Sequence, residues 1–595
     1  MREAREEYAT RLAQHRSAAA AFDRTDRVVA TTRLLVAAMV VLVAWWAFGA
    51  DTISPWWLLV PIGAFVGLVF HHDRVLARRD AGARVIAFHE RGLARLADEW
   101  AGTGASGERF LDDQHLYARD LDLFGRGSLF ELLSAARTAI GERTLASWLL
   151  APARPDEVGR RQACVEELRP FVQLREDLAA LGDGTADRID ADHLGRWAGS
   201  PPHLTSRGAR LVALLLALAA IATAVGWWKL GWGYWPFFIT LVIESVFARA
   251  CREAVERVTA ELHDASKDLS RLAGILARLE REPFTTPPVV ELQRQLHASG
   301  EPASHAIARL GRLVTMLDSK DNEMFMPFAS ALLWTTQIAF AVEAWRARTG
   351  PAVPRWLTVV GEFEALLSLA GYSFEHPDDP FPAVEPEGSR FEGDEIGHPL
   401  LPAREVVRNT VRLGGADPQA ILVSGSNMSG KSTLLRTVGI NAVLALAGAP
   451  VRARALTISP LAIGATLRIE DSLQAGRSRF FAEISRLREI VDLTAGPRPV
   501  LFLLDEIFHG TNSHDRRIGA EAVIRSLIDR RAIGLVTTHD LALTESTRAA
   551  GAAVANMHFE DQFVGETMTF DYRLRPGVVE KSNALALMRA VGLDV

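Results

Sequence analysis

Cysteine is nearly absent: Cys164 and Cys251 are the only two in 595 residues. Neither belongs to a CxxC pair or a zinc-type spacing, which argues against a disulfide framework and a thiolate metal cluster. A basic excess is also missing. Sixty-six Lys and Arg stand against 72 Asp and Glu, a net charge of −6, so no global positive field draws the chain to nucleic acid. Any such contact has to come from a local patch. No low-complexity tract and no internal repeat occur beyond two similar apolar hairpins. A cleavable signal is not expected, because Met1 to Arg33 is charged and helix-like and no small-residue cleavage pattern follows the first apolar run.

What is present begins with length, which is too great for one core and predicts several units. Four apolar runs stand out: Leu34 to Ala50, Trp56 to Phe70, Leu211 to Trp228 and Trp232 to Phe247. Crossing a hydrocarbon core takes about 20 helical residues, with a range of roughly 17 to 25, so two runs fit directly and two need their flanks. Tryptophans cluster at the distal end of each run, at Trp45-Trp46, Trp56-Trp57, Trp227-Trp228 and Trp232 to Trp235, where an aromatic belt would sit. Arg24, Arg27, Arg33, Arg74, Arg78 and Arg79 flank the first pair, whose turn carries only Asp51. Arg207, Arg210, Arg249 and Arg252 flank the second, whose turn carries only Lys229. By the positive-inside rule both pairs are hairpins dipping from the cytoplasm and returning. The expectation is a multi-pass protein of the cell inner membrane with four transmembrane helices and its remaining mass in the cytoplasm. Buried helices of a large soluble core are the alternative, and length, Trp placement and Arg asymmetry all oppose it. Glu244 is the one acid inside a span, and its place near the cytoplasmic end predicts a carboxylate that snorkels to the interface.

The stretch "GSNMSGKS", Gly425 to Ser432, satisfies G-x-x-x-x-G-K-[ST] between an apolar strand, Ala420 to Val423, and a helix opening at Lys431. Such a loop lets backbone N–H groups curl round phosphates at a helix amino terminus. Gly425, Ser426, Asn427, Met428, Ser429, Gly430, Lys431, Ser432 and Thr433 are therefore the predicted nucleotide-binding residues. Lys431 would reach the β and γ phosphates, and Ser432 would hold Mg²⁺. Downstream, Val500 to Leu504 reads as a buried parallel strand ending in Asp505-Glu506. Asp505 would bind the Mg²⁺ hydration shell and Glu506 would polarise the attacking water, since phosphoryl transfer is catalysed by charge neutralisation and positioning. A third strand, "AIGLVTTHD", delivers His539 at its carboxyl end, where open α/β sheets gather ligand contacts. That order, P-loop, Asp-Glu and His, is the order of an ABC-type ATPase.

Within this frame the chain resembles the MutS family of DNA mismatch-repair ATPases. "SGSNMSGKSTLLRTVG" is similar to that family's "TGPNMGGKST" segment, and Asn427-Met428 is more specific than the bare loop. "LLDEIFHGTNSHD" and "VTTHDLALTE" resemble its next two motifs, "KSNALALMRAVGL" its carboxyl end, and Ser472 to Val491 its signature segment, with Ser478 in the position that meets the nucleotide of a second subunit. Upstream, Gly127 to Leu168 and Phe363 to Pro402 resemble the family's helical core and its return into the ATPase, so the likeness covers about Gly127 to Val595, interrupted by the second hairpin. The departures are informative. The amino-terminal domain with its Phe-x-Glu mismatch wedge has no counterpart. Arg479 follows Ser478 where the family has Thr, and Phe508-His509 replace a Gly-Arg pair.

The expected fold class is multidomain: an α-helical core and lever with two transmembrane helical hairpins, plus a carboxyl-terminal α/β P-loop ATPase domain of ABC type. Its expected divisions are an amino-terminal helix (1–33), hairpin one (34–70), core (81–202), hairpin two (208–250), lever (251–387) and ATPase (388–595). The lever shows amphipathic helical spacing. Its Arg252, Arg257, Lys267, Arg271, Arg278 and Arg281 are interleaved with acids, so phosphate contact and a solvated face are equally open. The resemblance implies ATP and Mg²⁺ as cofactors, a homodimer through the ATPase domains, and DNA as partner, recognised by structure rather than by mispair. The alternative is an ABC-type transport or membrane-remodelling ATPase that never meets DNA; the absence of an LSGGQ signature and the shortness of the spans count against it.

Overall fold

A computed structural model describes the chain except residues 51, 183–190, 203, 205, 261–265, 298–299, 320–325, 427, 468–478, 509–512, 540–542, 544–552, 565–566 and 580–595. It opens with two long helices, α1 (Arg2–Ala44) and α2 (Leu59–Leu96), joined through a π-helical turn, Trp45–Gly49, and a 3-10 turn, Pro55–Leu58. Short core helices follow: α3 (Leu129–Leu133), α4 (Ala139–Leu150), α5 (Pro155–Leu168), α6 (Val172–Leu181) and α7 (Ala191–Gly199). A second hairpin, α8 (Arg207–Leu230) and α9 (Trp235–Ala260), precedes α10 (Ser266–Arg281), α11 (Pro287–Arg294), α12 (Ala303–Asp318), α13 (Met326–Ala331), α14 (Trp334–Thr349) and α15 (Val353–Glu375).

The rest alternates strands and helices: β1 (Ala383–Val384), β2 (Arg390–Ile396), β3 (Asn409–Gly414), β4 (Ala420–Ser424), α16 (Lys431–Ala447), β5 (Ala455–Ile458), β6 (Ala462–Thr466), α17 (Arg479–Leu493), β7 (Val500–Asp505), α18 (Ser513–Asp529), β8 (Ile533–Thr538), β9 (Val554–Val564) and β10 (Thr567–Pro576). Six strands form one sheet in the order β10-β9-β4-β8-β7-β6, parallel except for the β9–β10 hairpin. The other four form a smaller sheet, β1-β5-β2-β3.

Strand periodicity explains why the large sheet is apolar on both faces. Ile421, Val423, Leu501, Leu503, Ile533 and Leu535 join a core continuous with the helices, while Ala420, Leu422, Val500, Phe502, Leu504 and Val536 join a second core with α17 and α18. Alternate residues thus face opposite layers, and both layers are covered. Local signals set the helix starts: Ser128 accepts from Glu131 N, Thr138 accepts from Gly141 N, and Pro155 opens α5. Helix α15 is buried on nearly every side, with Trp356, Val360, Phe363 and Leu367 inside.

Among the described residues, three helical segments are long and apolar enough to cross a membrane: Arg2–Gly49, Pro55–Leu96 and Gly208–Leu230. The fourth expected span, α9, is not among them, because Glu244 interrupts its apolar stretch and Arg249 and Arg252 follow close behind. Glu244 also does not snorkel. It is 2% exposed, and both carboxylate oxygens are buried without a hydrogen-bond partner among the described residues, beside a cavity lined by Ser245, Leu333 and Thr336. The tips and flanks of the hairpins stand out from the fold, with Trp56 77% and Trp228 80% exposed.

Helix α1 has 43 residues, about 65 Å at about 1.5 Å per residue, roughly twice a hydrocarbon core. Its first half is a stalk. Ala4 and Tyr8 are buried against Phe88, Leu96, Val172 and Ala179, and a side chain at Gly92 would strike the Tyr8 ring at 2.6 Å. Tyr8 Oη donates to Glu375 Oε1 at 3.0 Å, and Arg95 Nε donates to Oε2 at 2.7 Å. Burial alone would raise the Glu375 carboxyl, but the Arg95 charge and these bonds outweigh it and hold it below the usual carboxylate range. Replacing Glu375 by Ala leaves Arg95 buried and unpaired, a cost of about 3–5 kcal/mol at neutral pH. A carboxyl with a depressed folded pKa contributes stability above its unfolded value and loses it as pH falls through the folded one. The Glu375→Ala deficit, read as a lowered Tm in detergent, should therefore shrink below about pH 4.5.

Candidate nucleotide site

Between β4 and α16 the chain turns on two glycines. Gly425 has φ +153° and Gly430 φ +100°. A Cβ at Gly425 would meet Ser429 Oγ at 2.8 Å, and one at Gly430 would meet Tyr572 Cδ1 at 3.1 Å, so only glycine fits either position without displacement. Helix α16 opens at Lys431 with no side-chain cap, leaving first-turn N–H groups and the helix dipole to an anion. Ser429 Oγ is buried beside them with no partner among the described residues. An orphaned hydroxyl in a cradle too narrow for a Cβ fits a phosphate group. Met428 is left-handed and exposed at the rim.

Lys431 is buried, and its Nζ donates to Gly425 O at 2.9 Å and Ser426 O at 2.7 Å. Burial depresses its pKa, against the opposing pull of Glu506 and Asp505. Nζ lies 3.7 Å from Glu506 Oε1, the oxygen that also meets His539 Nε2. His539 Nδ1 lies 3.0 Å from Gly425 O. Both ring nitrogens thus face acceptors. Glu506 takes a left-handed φ of 48° at the end of β7. Thr537, opposite Asp505 on β8, donates from Oγ1 to Asp505 Oδ1 and accepts from Glu506 N. One hydroxyl therefore fixes both acidic residues.

A cavity of about 660 Å³ opens between the loop and the small sheet, lined by Lys431, Ser432, Thr433 and Glu506 on one side and by Ile396, His398, Asn409 and Tyr572 on the other. Burial, helped by Arg436, pushes His398 down to about 4, so its imidazole is neutral there. Ser432 is exposed to the cavity and Asp505 is half-buried; hydroxyl and carboxylate oxygens are the hard ligands that Mg²⁺ takes.

The structure thus gathers Gly425, Ser426, Met428, Ser429, Gly430, Lys431, Ser432, Thr433, Asp505, Glu506 and His539 around one turn. Asn427, Ser478 and His509 lie outside the described residues. Sequence reasoning missed Thr537, Tyr572, Asn409 and Asp561, the last of which accepts from Ser426 Oγ at 2.6 Å. It also missed Glu483, a buried residue of α17 whose carboxylate takes the N–H of Phe508. Three of the five, Asn409, Asp561 and Tyr572, come from strands that carry no motif; Thr537 stood two residues before His539 in its motif and Glu483 within the signature segment, each without a role of its own.

Away from the site, four of the lever's six basic residues are engaged with acids. Arg252 pairs with Glu256, Arg257 with Glu253, Arg271 with Asp268, and Arg278 with Asp177 and Glu282. The Lys267 side chain lies outside the described residues. Of the two readings, the pairing favours a solvated face.

Comparison with known proteins follows the same outline. The family model for MutS domain V matches residues 421–594. The chain is 36% identical over 211 residues to the DNA mismatch repair protein MSH6 of Arabidopsis thaliana, covering 33% of this chain and 16% of that protein. It is 34% identical over 208 residues to Endonuclease MutS2 of Thermus thermophilus, covering 35% and 27%. With the DNA mismatch repair protein MutS of Desulfosudis oleivorans the likeness is 25% over 540 residues, 79% of this chain and 57% of that protein. The chain thus spans less than two thirds of each of these curated relatives. Its carboxyl-terminal region, residues 421–594, matches MutS domain V, and these likenesses support a MutS family protein.

Proposed function

We propose that this chain is a membrane-anchored ATPase that hydrolyses ATP in a dimer of its carboxyl-terminal domains and couples that cycle to DNA binding. The observation that carries the reading is the convergence of Lys431, Glu506 and His539 on a glycine turn at the amino terminus of α16. Lys431 exchanges its loop carbonyls for β and γ phosphate oxygens. Glu506, aimed by its left-handed backbone and by Thr537, orients and polarises the attacking water, while His539 holds the Glu506 carboxylate in place. Ser432 and Asp505 hold Mg²⁺, which when bound neutralises charge on the phosphates. Ser478 of a second subunit completes the site.

The names of the relatives, DNA mismatch repair proteins and an endonuclease, support DNA as the partner. DNA structure rather than a mispaired base is the feature read in this proposal, since residues 2–96 form a helical hairpin. The acid-paired lever favours a local patch or a surface made by the dimer for DNA contact. Membrane anchoring rests on three long apolar helices whose outward faces are exposed; the positive-inside arginines favour the cytoplasmic side of the inner membrane for the ATPase. The competing reading, a transport or remodelling ATPase with no DNA, draws on the same hairpins.

Lys431→Ala and Glu506→Gln should each lower ATP turnover by at least about a hundredfold, and Glu506→Gln should also accumulate an ATP-bound dimer in size-exclusion chromatography. Wild-type rates in either variant defeat the assignment. The ATPase rate in detergent should rise with branched or looped DNA and lose that stimulation as salt increases, since phosphate contacts release counterions. A rate indifferent to duplex, mismatched and branched DNA sinks the DNA reading and leaves the transport reading. The protein should also stay with membranes through an alkaline wash and come off only with detergent; release by the wash removes the anchoring.

A further inference from the structure

At the base of the first hairpin lies a cluster that the nucleotide chemistry does not use. His15 of α1, His89 of α2 and Glu176 of α6 each offer one ligand atom, all within 4.8 Å of one another. His15 Nε2 is 2.8 Å from Glu176 Oε1, and His89 Nε2 is 3.1 Å from Glu176 Oε2. The two imidazoles lie nearly parallel, with centroids 5.7 Å apart and planes 18° apart. His89 is fully buried, Glu176 is buried and His15 is half-buried. Among the described residues this is the one place where three such donors meet.

We propose that His15, His89 and Glu176 bind one first-row divalent transition-metal ion, with Zn²⁺ the best match, and that the ion pins the first hairpin to the helical core. Two imidazoles and a carboxylate are a zinc donor set. Bonds of about 2.0–2.2 Å around a tetrahedral ion set ligand atoms roughly 3.3–3.5 Å apart. The two separations here fall a few tenths of an ångström short, within reach of small side-chain rotations. The donors come from three different helices, so the site exists only when both arms of the hairpin are docked on α6. Metal binding is then docking free energy.

Arg11 is the opposing charge. Its Nη1 lies 3.1 Å from Glu176 Oε2, but the guanidinium also bonds Glu7 and Gln173, partners it keeps when the carboxylate turns to a metal. Gln173 Nε2 adds a long contact, 3.4 Å, to Glu176 Oε1. Neither occupies an imidazole nitrogen.

The test uses the full chain in detergent, stripped with a chelator and titrated with Zn²⁺ alone, with bound zinc counted by elemental analysis and Tm followed. The expected result is one equivalent of zinc per chain and a raised Tm. His15→Ala, at a half-buried position where the fold survives, should weaken zinc binding at least about tenfold and abolish the Tm rise. Arg11→Gln should tighten binding. Co²⁺ should give visible d–d absorption in the wild type and none in His15→Ala. Wild-type protein that retains no more zinc than His15→Ala, or equal affinity in the two, overturns the site. Because the readouts are metal content and stability, they are separate from ATP turnover.

Discussion

A carboxylate sealed from water has to be met by charge and by hydrogen-bond donors, and Glu375 is met by Tyr8 and Arg95 from the two arms of one hairpin. The partners lie 367 and 280 residues away in the chain. Glu375 ends α15, so the pair ties the stalk to the helix on which the core is built. Other buried polar groups extend the same logic along α15. Glu364 accepts from the N–H groups of Arg137 and Thr138 and from Thr138 Oγ1, and Ser368 Oγ accepts from Ala135 N. Tyr372 Oη then bonds Asp379, which pairs with Arg452 of the ATPase region. Residues 364, 368, 372 and 375 are spaced by three and four and so share one helix face. That face carries polar connections from the first hairpin, through the core, to the nucleotide domain.

A second set of connections starts at the nucleotide loop. Arg436, one turn and more into α16, pairs with Asp122. Arg486 of α17, which forms most of the signature segment, bonds His115 O, Gln114 O and Asp120, and Asp120 also accepts from Leu467 N. The segment of residues 112–126 therefore bonds both α16, the helix that follows the glycine turn, and α17. Interfaces held by discrete ion pairs re-pair rather than deform continuously. If ATP draws α16 and α17 closer across a dimer, Asp120 and Asp122 receive the displacement first, and α3 and α4 follow.

The turn and strand ends of the candidate site were legible in the sequence because each of these parts is local. Gly425 to Thr433 is contiguous, and Asp505, Glu506 and His539 sit at the ends of apolar runs whose burial on both faces leaves no polar alternation to misread. The apolar hairpins were legible for the same reason. What escaped was set by partners remote in sequence. Thr537 is an ordinary strand residue until β8 lies beside β7, and Tyr572 and Asp561 come from a β-hairpin with no motif. Glu244 was misjudged because depth along a span was weighed and the neighbouring face was not: α14 and α13 cover it. Its burial also accounts for α9 falling outside the helices apolar enough to cross a membrane. A helix that turns an acid toward protein is packed on one side and needs fewer apolar residues there.

Both hairpins are rooted in protein before they leave it, and this separates a working connection from a simple tether. A tether needs only length and apolarity. Here α1 and α2 are keyed to α6 and α15 by Tyr8, Arg95 and the His15–His89–Glu176 cluster, while α8 packs through Ala213 on Leu333 and Phe340 beside α14. Helices of this length transmit rotation as rigid rods, and a close contact such as Gly92 against the Tyr8 ring leaves little room for slip. A shift of α15 relative to α6 must then tilt α1 and α2 together, because Glu375 and Glu176 each bond residues of both. The two carboxylates act as separate pivots on one hairpin, one at the end of the central helix and one on its neighbour. Any movement that changes the distance between them has to be taken up as rotation of α1 and α2.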